Sequence, residues 1–78
     1  MKTVHIEVER GVSQERFERI QDKLDAEGLA NPDFNGYELK ALRGDFTCAE
    51  LQDVSEHASG ALLRLMAVVQ DIAAGTEV

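Results

Sequence analysis

The feature that most constrains this chain is a pattern of apolar spacing written twice. In "VHIEVERGVSQERFERIQDKL", residues 4 to 24, Val4, Ile6 and Val8 alternate with polar residues up to Arg10-Gly11; Val12 and Ser13 come next, then Phe17, Ile20 and Leu24. From Tyr37 the plan recurs: Tyr37, Leu39 and Ala41 alternate up to Arg43-Gly44, and after Phe46 and Thr47 stand Leu51, Val54 and Ala58, the offsets agreeing apart from one inserted residue, Asp45. Period two passing into a three-four spacing describes strand, tight turn, helix. Glycine permits the sharp reversal, and a hydroxyl side chain can accept one of the unpaired amides of a first helical turn, so Gly11 with Ser13 and Gly44 with Thr47 predict where the two helices begin. Thr47 with Glu50 has the spacing of a capping box, and Phe46 with Leu51, like Val12 with Phe17, that of a hydrophobic staple.

The expected architecture is one small α+β domain over residues 1–78, ordered β-α-β(β)-α, with repeat halves at about 1–28 and 37–74. The first helix is expected over 14 to 27, with Gly28 as a left-handed cap and Leu29 folded back on Leu24. In the connection "LANPDFNG", Asn35-Gly36 between Phe34 and Tyr37 is a hairpin signal, which suggests a brief strand at Phe34 pairing with 37 to 42. A short helix over 36 to 43 is the competing assignment.

Leu51, Val54, Ala58, Ala61, Leu65, Val68 and Ile72 keep heptad spacing through Ser59-Gly60. This predicts one helix of about 27 residues, roughly 40 Å long, with Gly60 as the place for any kink. A second apolar stripe, Leu62, Met66, Val69 and Ala73 with Leu63 farther round, widens the apolar face beyond what one small sheet and one helix need. A chain of 78 residues buries only about 60% of its unfolded surface. Homodimerisation through Leu62, Leu63, Met66, Val69 and Ala73 is therefore the expectation.

Charge narrows the function. The net charge is −7, and it is uneven: residues 1 to 44 carry nine acids against seven bases, residues 45 to 78 six acids against Arg64 alone. Such a surface repels phosphate, so direct nucleic-acid binding is not expected. No secretory h-region opens the chain, the longest apolar stretch, "ALLRLMAVV", is too short to span a bilayer, and Cys48 is the one cysteine; a cytoplasmic protein without membrane association follows.

Chemistry-bearing constellations are weak. His5, Glu7 and Glu9 share one side of the first strand, but ligands two apart on a strand rarely converge on one ion. Cys48 has no histidine placed to act as its base, and Glu50 beside it opposes thiolate formation. His57 next to Glu56 reads as a surface residue. The six glycines fall singly, so there is no phosphate-cradling loop. No enzyme, metal or cofactor is expected.

"LKALR" followed by "TCAEL" resembles the phage-repressor type of helix-turn-helix over about a quarter of the chain, which implies a transcriptional regulator using residues 39–65. The sequence departs from that pattern at Gln52 and "DVSEH", and Arg64 is the sole base of the implied reading helix. The leading expectation is instead a small acidic module that binds a protein with a basic surface and modulates or inhibits it, with Glu18, Asp22, Asp53 and Glu56 as the partner-binding acids. In size and charge the chain is similar to small acidic phage-encoded inhibitors, including anti-CRISPR and anti-restriction proteins, without sharing a motif with them.

Overall fold

Alternation places Val4, Ile6 and Val8 on the inward face of the first strand, β1 (Lys2–Glu9), in the computed structural model, which describes residues 2–76. Ser13 then caps helix α1 (Gln14–Ala30), its Oγ accepting the Arg16 amide at 3.3 Å. Strand β2 (Tyr37–Gly44) lies parallel to β1, with Val4 opposite Leu39 and Ile6 opposite Ala41. Parallel neighbours need a crossover, and α1 supplies it. The two-residue strand β3 (Cys48–Ala49) pairs antiparallel with the other edge of β1, and helix α2 (Glu56–Ala74) closes the domain. The sheet order is β2-β1-β3.

Both helices cover one face of the sheet. Ile20 and Leu24 from α1, Phe34 from the connection, and Ala58, Ala61, Leu62, Leu65, Met66, Val69 and Ile72 from α2 join the inward residues of β1 and β2 in one core. The opposite face, carrying Thr3, His5, Glu7 and Glu9 beside Glu38, Lys40 and Leu42, forms the outer side of this two-layer domain.

Two local expectations are corrected, and the choice left open at residues 36 to 43 is decided. Helix α1 passes through Gly28 in helical geometry and ends at Asn31, whose amide donates to the Glu27 carbonyl at 2.9 Å; Leu29 is 91% exposed rather than packed on Leu24. Pro32 disfavours helical backbone in the residue before it, so the stop comes there. Around Phe34 the chain forms a 3-10 turn, Pro32–Phe34, capped by the Asn31 side chain, and not a strand. Residues 37–44 are strand and not helix; Gly36, at φ +89°, makes the left-handed entry, and its carbonyl accepts the Lys2 amide at 2.9 Å.

The second half departs most from the repeat. Thr47 caps no helix: Cys48 and Ala49 pair with Glu7 and Ile6, the Glu50 amide donates to the His5 carbonyl at 3.2 Å, and Phe46 and Leu51 stay 60% and 41% exposed, so no staple forms. Pairing satisfies backbone groups on the edge of β1 that β2 leaves free, which a helix starting at Thr47 would not do. Asp53, at φ 63°, turns the chain, and Ser55 caps α2 by accepting the Ala58 amide at 3.2 Å. The helix therefore has 19 residues, about 28 Å at 1.5 Å per residue. It is continuous through Gly60 and ends in a Schellman turn at Gly75, φ 74°, where the Thr76 amide reaches the Asp71 carbonyl.

The stripe expected to form a dimer contact is core within the single chain. Leu62, Met66 and Val69 are buried, Ala73 is half-buried against the same cluster, and Leu63 is 60% exposed. With α2 shorter than expected, the sheet, α1 and Phe34 cover most of its two apolar stripes, leaving Leu63 and Val68 exposed.

Candidate functional site

Among the described residues, no three His, Cys, Asp or Glu side chains are grouped as a metal site requires. Glu7 is held sideways on the open face: the Cys48 thiol donates to its Oε2 at 3.6 Å, and its side chain fills the space a side chain at Gly44 would need. Partial burial, and then the Glu7 carboxylate, hold the Cys48 thiol above its ordinary pKa, so the neutral and poorly nucleophilic form is favoured.

The bases each have a partner within the chain, although several of these pairs are exposed. Arg10, Lys23, Lys40 and Arg64 pair with Asp45, Glu27, Glu38 and Asp33 at 2.9, 3.0, 3.6 and 3.8 Å. Lys2 donates to the Asp53 carbonyl, Arg16 to the Ala73 carbonyl at the end of α2, and Arg43 to the carbonyls of Arg10 and Val12 and to Gln14 Oε1. Arg19 is engaged as well. All eight Lys and Arg side chains thus make contacts within the chain.

The expected acids are all exposed but are not gathered into one patch. Glu18 and Asp22 are exposed on α1, Glu18 accepting from Gln14, which itself binds Arg43 toward the C-terminal end of β2. Asp53 stands at the opposite end, where its carbonyl accepts from Lys2 Nζ and Tyr37 Oη at 3.1 and 3.5 Å, and Glu56 opens α2.

The surface that sequence reasoning missed is the outer edge of β2. This strand has β1 on one side and, among the described residues, no strand on the other. Gln21 Oε1 accepts the Ala41 amide at 3.0 Å from that outer side, whereas the Gly36 carbonyl faces β1. By the strand's period of two, the amides and carbonyls of Tyr37, Leu39, Ala41 and Arg43 point outward. At 100° per residue Glu18 and Asp25 project beside Gln14 and Gln21, toward this edge, and Gln21 Nε2 donates to Asp25 at 3.0 Å. An open groove of about 520 Å³ lies under the start of the strand, lined by Leu24, Leu29, Phe34, Tyr37 and Leu39, with Asp25 and Glu38 also lining it. The alternation at residues 37 to 42 signalled the strand, but nothing in a local pattern marks it as an edge.

Residues 39–65 hold β2, β3, a turn and the first half of α2, so a strand stands where the first helix of a helix-turn-helix would be required. Among the described residues no helix is long and apolar enough to cross a membrane. Comparison of the chain with known protein families, curated proteins and solved structures finds no match.

Proposed function

We propose that this chain is a small acidic protein-binding module, without catalysis of its own, that modulates or inhibits a partner carrying a basic surface. The observation supporting this reading is that every Lys and Arg is engaged within the chain, while Glu15, Glu18, Asp22 and Asp25 stand exposed along α1. The field beyond the surface is then set by the surplus carboxylates, which attract a cationic surface and repel phosphate. Proteins that handle nucleic acid present such cationic grooves, and an inhibitor occupying one is the specific form of the proposal.

The test is an affinity pull-down from the source cell, followed by association kinetics with the protein recovered. Lysine at Glu18, Asp22, Asp53 and Glu56 is expected to slow association strongly while circular dichroism and melting stay nearly unchanged, because exposed charges steer encounter more than they hold the fold. An unaltered rate, with no salt dependence between about 50 and 300 mM, would remove the acidic reading.

A further inference from the structure

We infer that the outer edge of β2 receives an extended, basic segment of the partner as a fourth strand, with one apolar side chain seated in the adjoining groove. This inference rests on the proposed acidic module and adds where and how it binds.

Three observations meet at this edge. First, β2 is eight residues long, carries no proline and directs the backbone of Leu39, Ala41 and Arg43 away from β1, which is the template that strand addition uses. Gln21 Oε1 already occupies one of these amides, at Ala41, in the position an incoming strand's carbonyl would take. Second, the groove at the start of the strand is lined by Leu24, Leu29, Phe34, Tyr37 and Leu39, and Leu29 is 91% exposed there. Alternate side chains of an added strand point to the same side, so one of them can enter the groove while its neighbours point away. Third, Glu18 and Asp25 flank the edge from α1, while on the strand itself Glu38 pairs with Lys40 and the Arg43 side chain turns to Val12 and Gln14, so basic residues on the added segment find their complement in the α1 acids.

Charge also decides between occupants. A second copy of the chain adding edge to edge would bring Glu18 and Asp25 toward the same acids of its neighbour, which is repulsive. A helical ligand could not use the outward amides and carbonyls of β2. An extended cationic peptide satisfies backbone, groove and charge together.

The probe is a short synthetic peptide alternating Lys with Val and Leu, added to the isotope-labelled full chain and followed by amide chemical shifts. Shifts at Leu39, Ala41 and Arg43 are expected, with binding weakened by salt. N-methylation of alternate peptide amides should abolish binding in one phase and spare it in the other, because only one set of amides faces β2. Gln21→Ala, which frees the Ala41 amide, should tighten binding by roughly two- to ten-fold. Ala41→Pro should abolish it with the circular dichroism retained, since proline is tolerated where an edge N–H points outward. Equal binding by both N-methylated peptides, or shifts confined to the outer side of α1, would overturn strand addition and leave the acidic module standing. Concentration-dependent shifts at Leu39 to Arg43 without peptide would overturn it in favour of a second copy. Failure of this peptide and of a helical peptide of equal charge to bind at low salt would overturn the inference and the acidic reading together.

Discussion

The Arg43 guanidinium lies over the Phe17 ring, 4.5 Å from its centroid, while its Nη1 donates to the Val12 carbonyl at 2.6 Å. One side chain from the end of β2 therefore ties down both the turn leaving β1 and the first turn of α1. Replacing it with alanine is expected to cost about 1–2 kcal/mol, since a stacking contact and charge-assisted hydrogen bonds are lost together. Lysine should recover less than half, because a point charge cannot reproduce the planar fork. Urea unfolding of the two variants checks this; a lysine variant as stable as the parent would show that the planar fork contributes nothing beyond its charge.

Leu62 and Leu63 are adjacent in sequence and opposite in environment, 1% and 60% exposed. Leu62→Ala is expected to destabilise by about 2–5 kcal/mol, the range for a buried leucine that leaves a cavity. Leu63→Ala should stay within about 0.5 kcal/mol of the parent. Equal effects on the melting curve would contradict the orientation of α2. If two copies do associate through this helix, the outward residues Leu63 and Val68 are where contact is available, and Leu63→Glu should then turn a dimer into a monomer in light scattering without altering the melt.

Glycine substitutions should divide by sign. A methyl at Gly28 would stand 3.8 Å from Leu39 Cγ and one at Gly60 3.6 Å from Arg64 Nη1, both ordinary contacts inside helices. Each alanine is expected to stabilise by about 0.5–1 kcal/mol. At Gly44 the same methyl would meet Glu7 Cβ at 2.9 Å and Oε2 at 2.8 Å, so alanine there should destabilise by about 1–3 kcal/mol through overpacking against β1. Differential scanning calorimetry of the three variants reads the signs directly.

The Cys48 thiol holds its proton more tightly in the folded chain than in the unfolded one, chiefly through partial burial and then through Glu7. A raised pKa stabilises the fold fully below the pH at which a free thiol ionises, and that contribution is lost as pH rises toward the folded value. Melting temperature should accordingly fall more steeply in the parent than in Cys48→Ser above about pH 8.5. Iodoacetamide should alkylate Cys48 more slowly than a free cysteine, and Glu7→Gln should raise that rate several-fold. Alkylation as fast as free cysteine would show that Glu7 and burial do not protect the thiol.

Much of the first half was legible because its signals are local. Alternation at Val4, Ile6 and Val8 needs only the two-residue period of a strand, and Ser13 caps α1 through a contact three residues away. The same kind of signal misled at Thr47, where a capping pattern with Glu50 was present but the backbone of Cys48 and Ala49 found a better partner in β1. Glu18 was legible as an exposed acid on a charged helix stripe; its place beside the edge of β2 was not, because that depends on how α1 lies across the sheet.

The α+β character, the alternation of the first strand, the start of α1 and the acidic surplus were legible in the sequence, since each follows from side-chain period, capping chemistry or charge within a few residues, whereas at residues 37–43 the local signals allowed strand and helix alike. The remainder depends on contacts between elements distant in the chain. Strand order leaves β2 at an edge because Cys48-Ala49 takes the opposite side of β1, a choice made between backbone groups more than forty residues apart in the Glu7–Cys48 pair. The fate of Leu62, Met66 and Val69 is of the same kind: a wide apolar face looks alike in a core and in an interface. What separates the two is whether the chain's own elements can reach it, and here the sheet, α1 and Phe34 do.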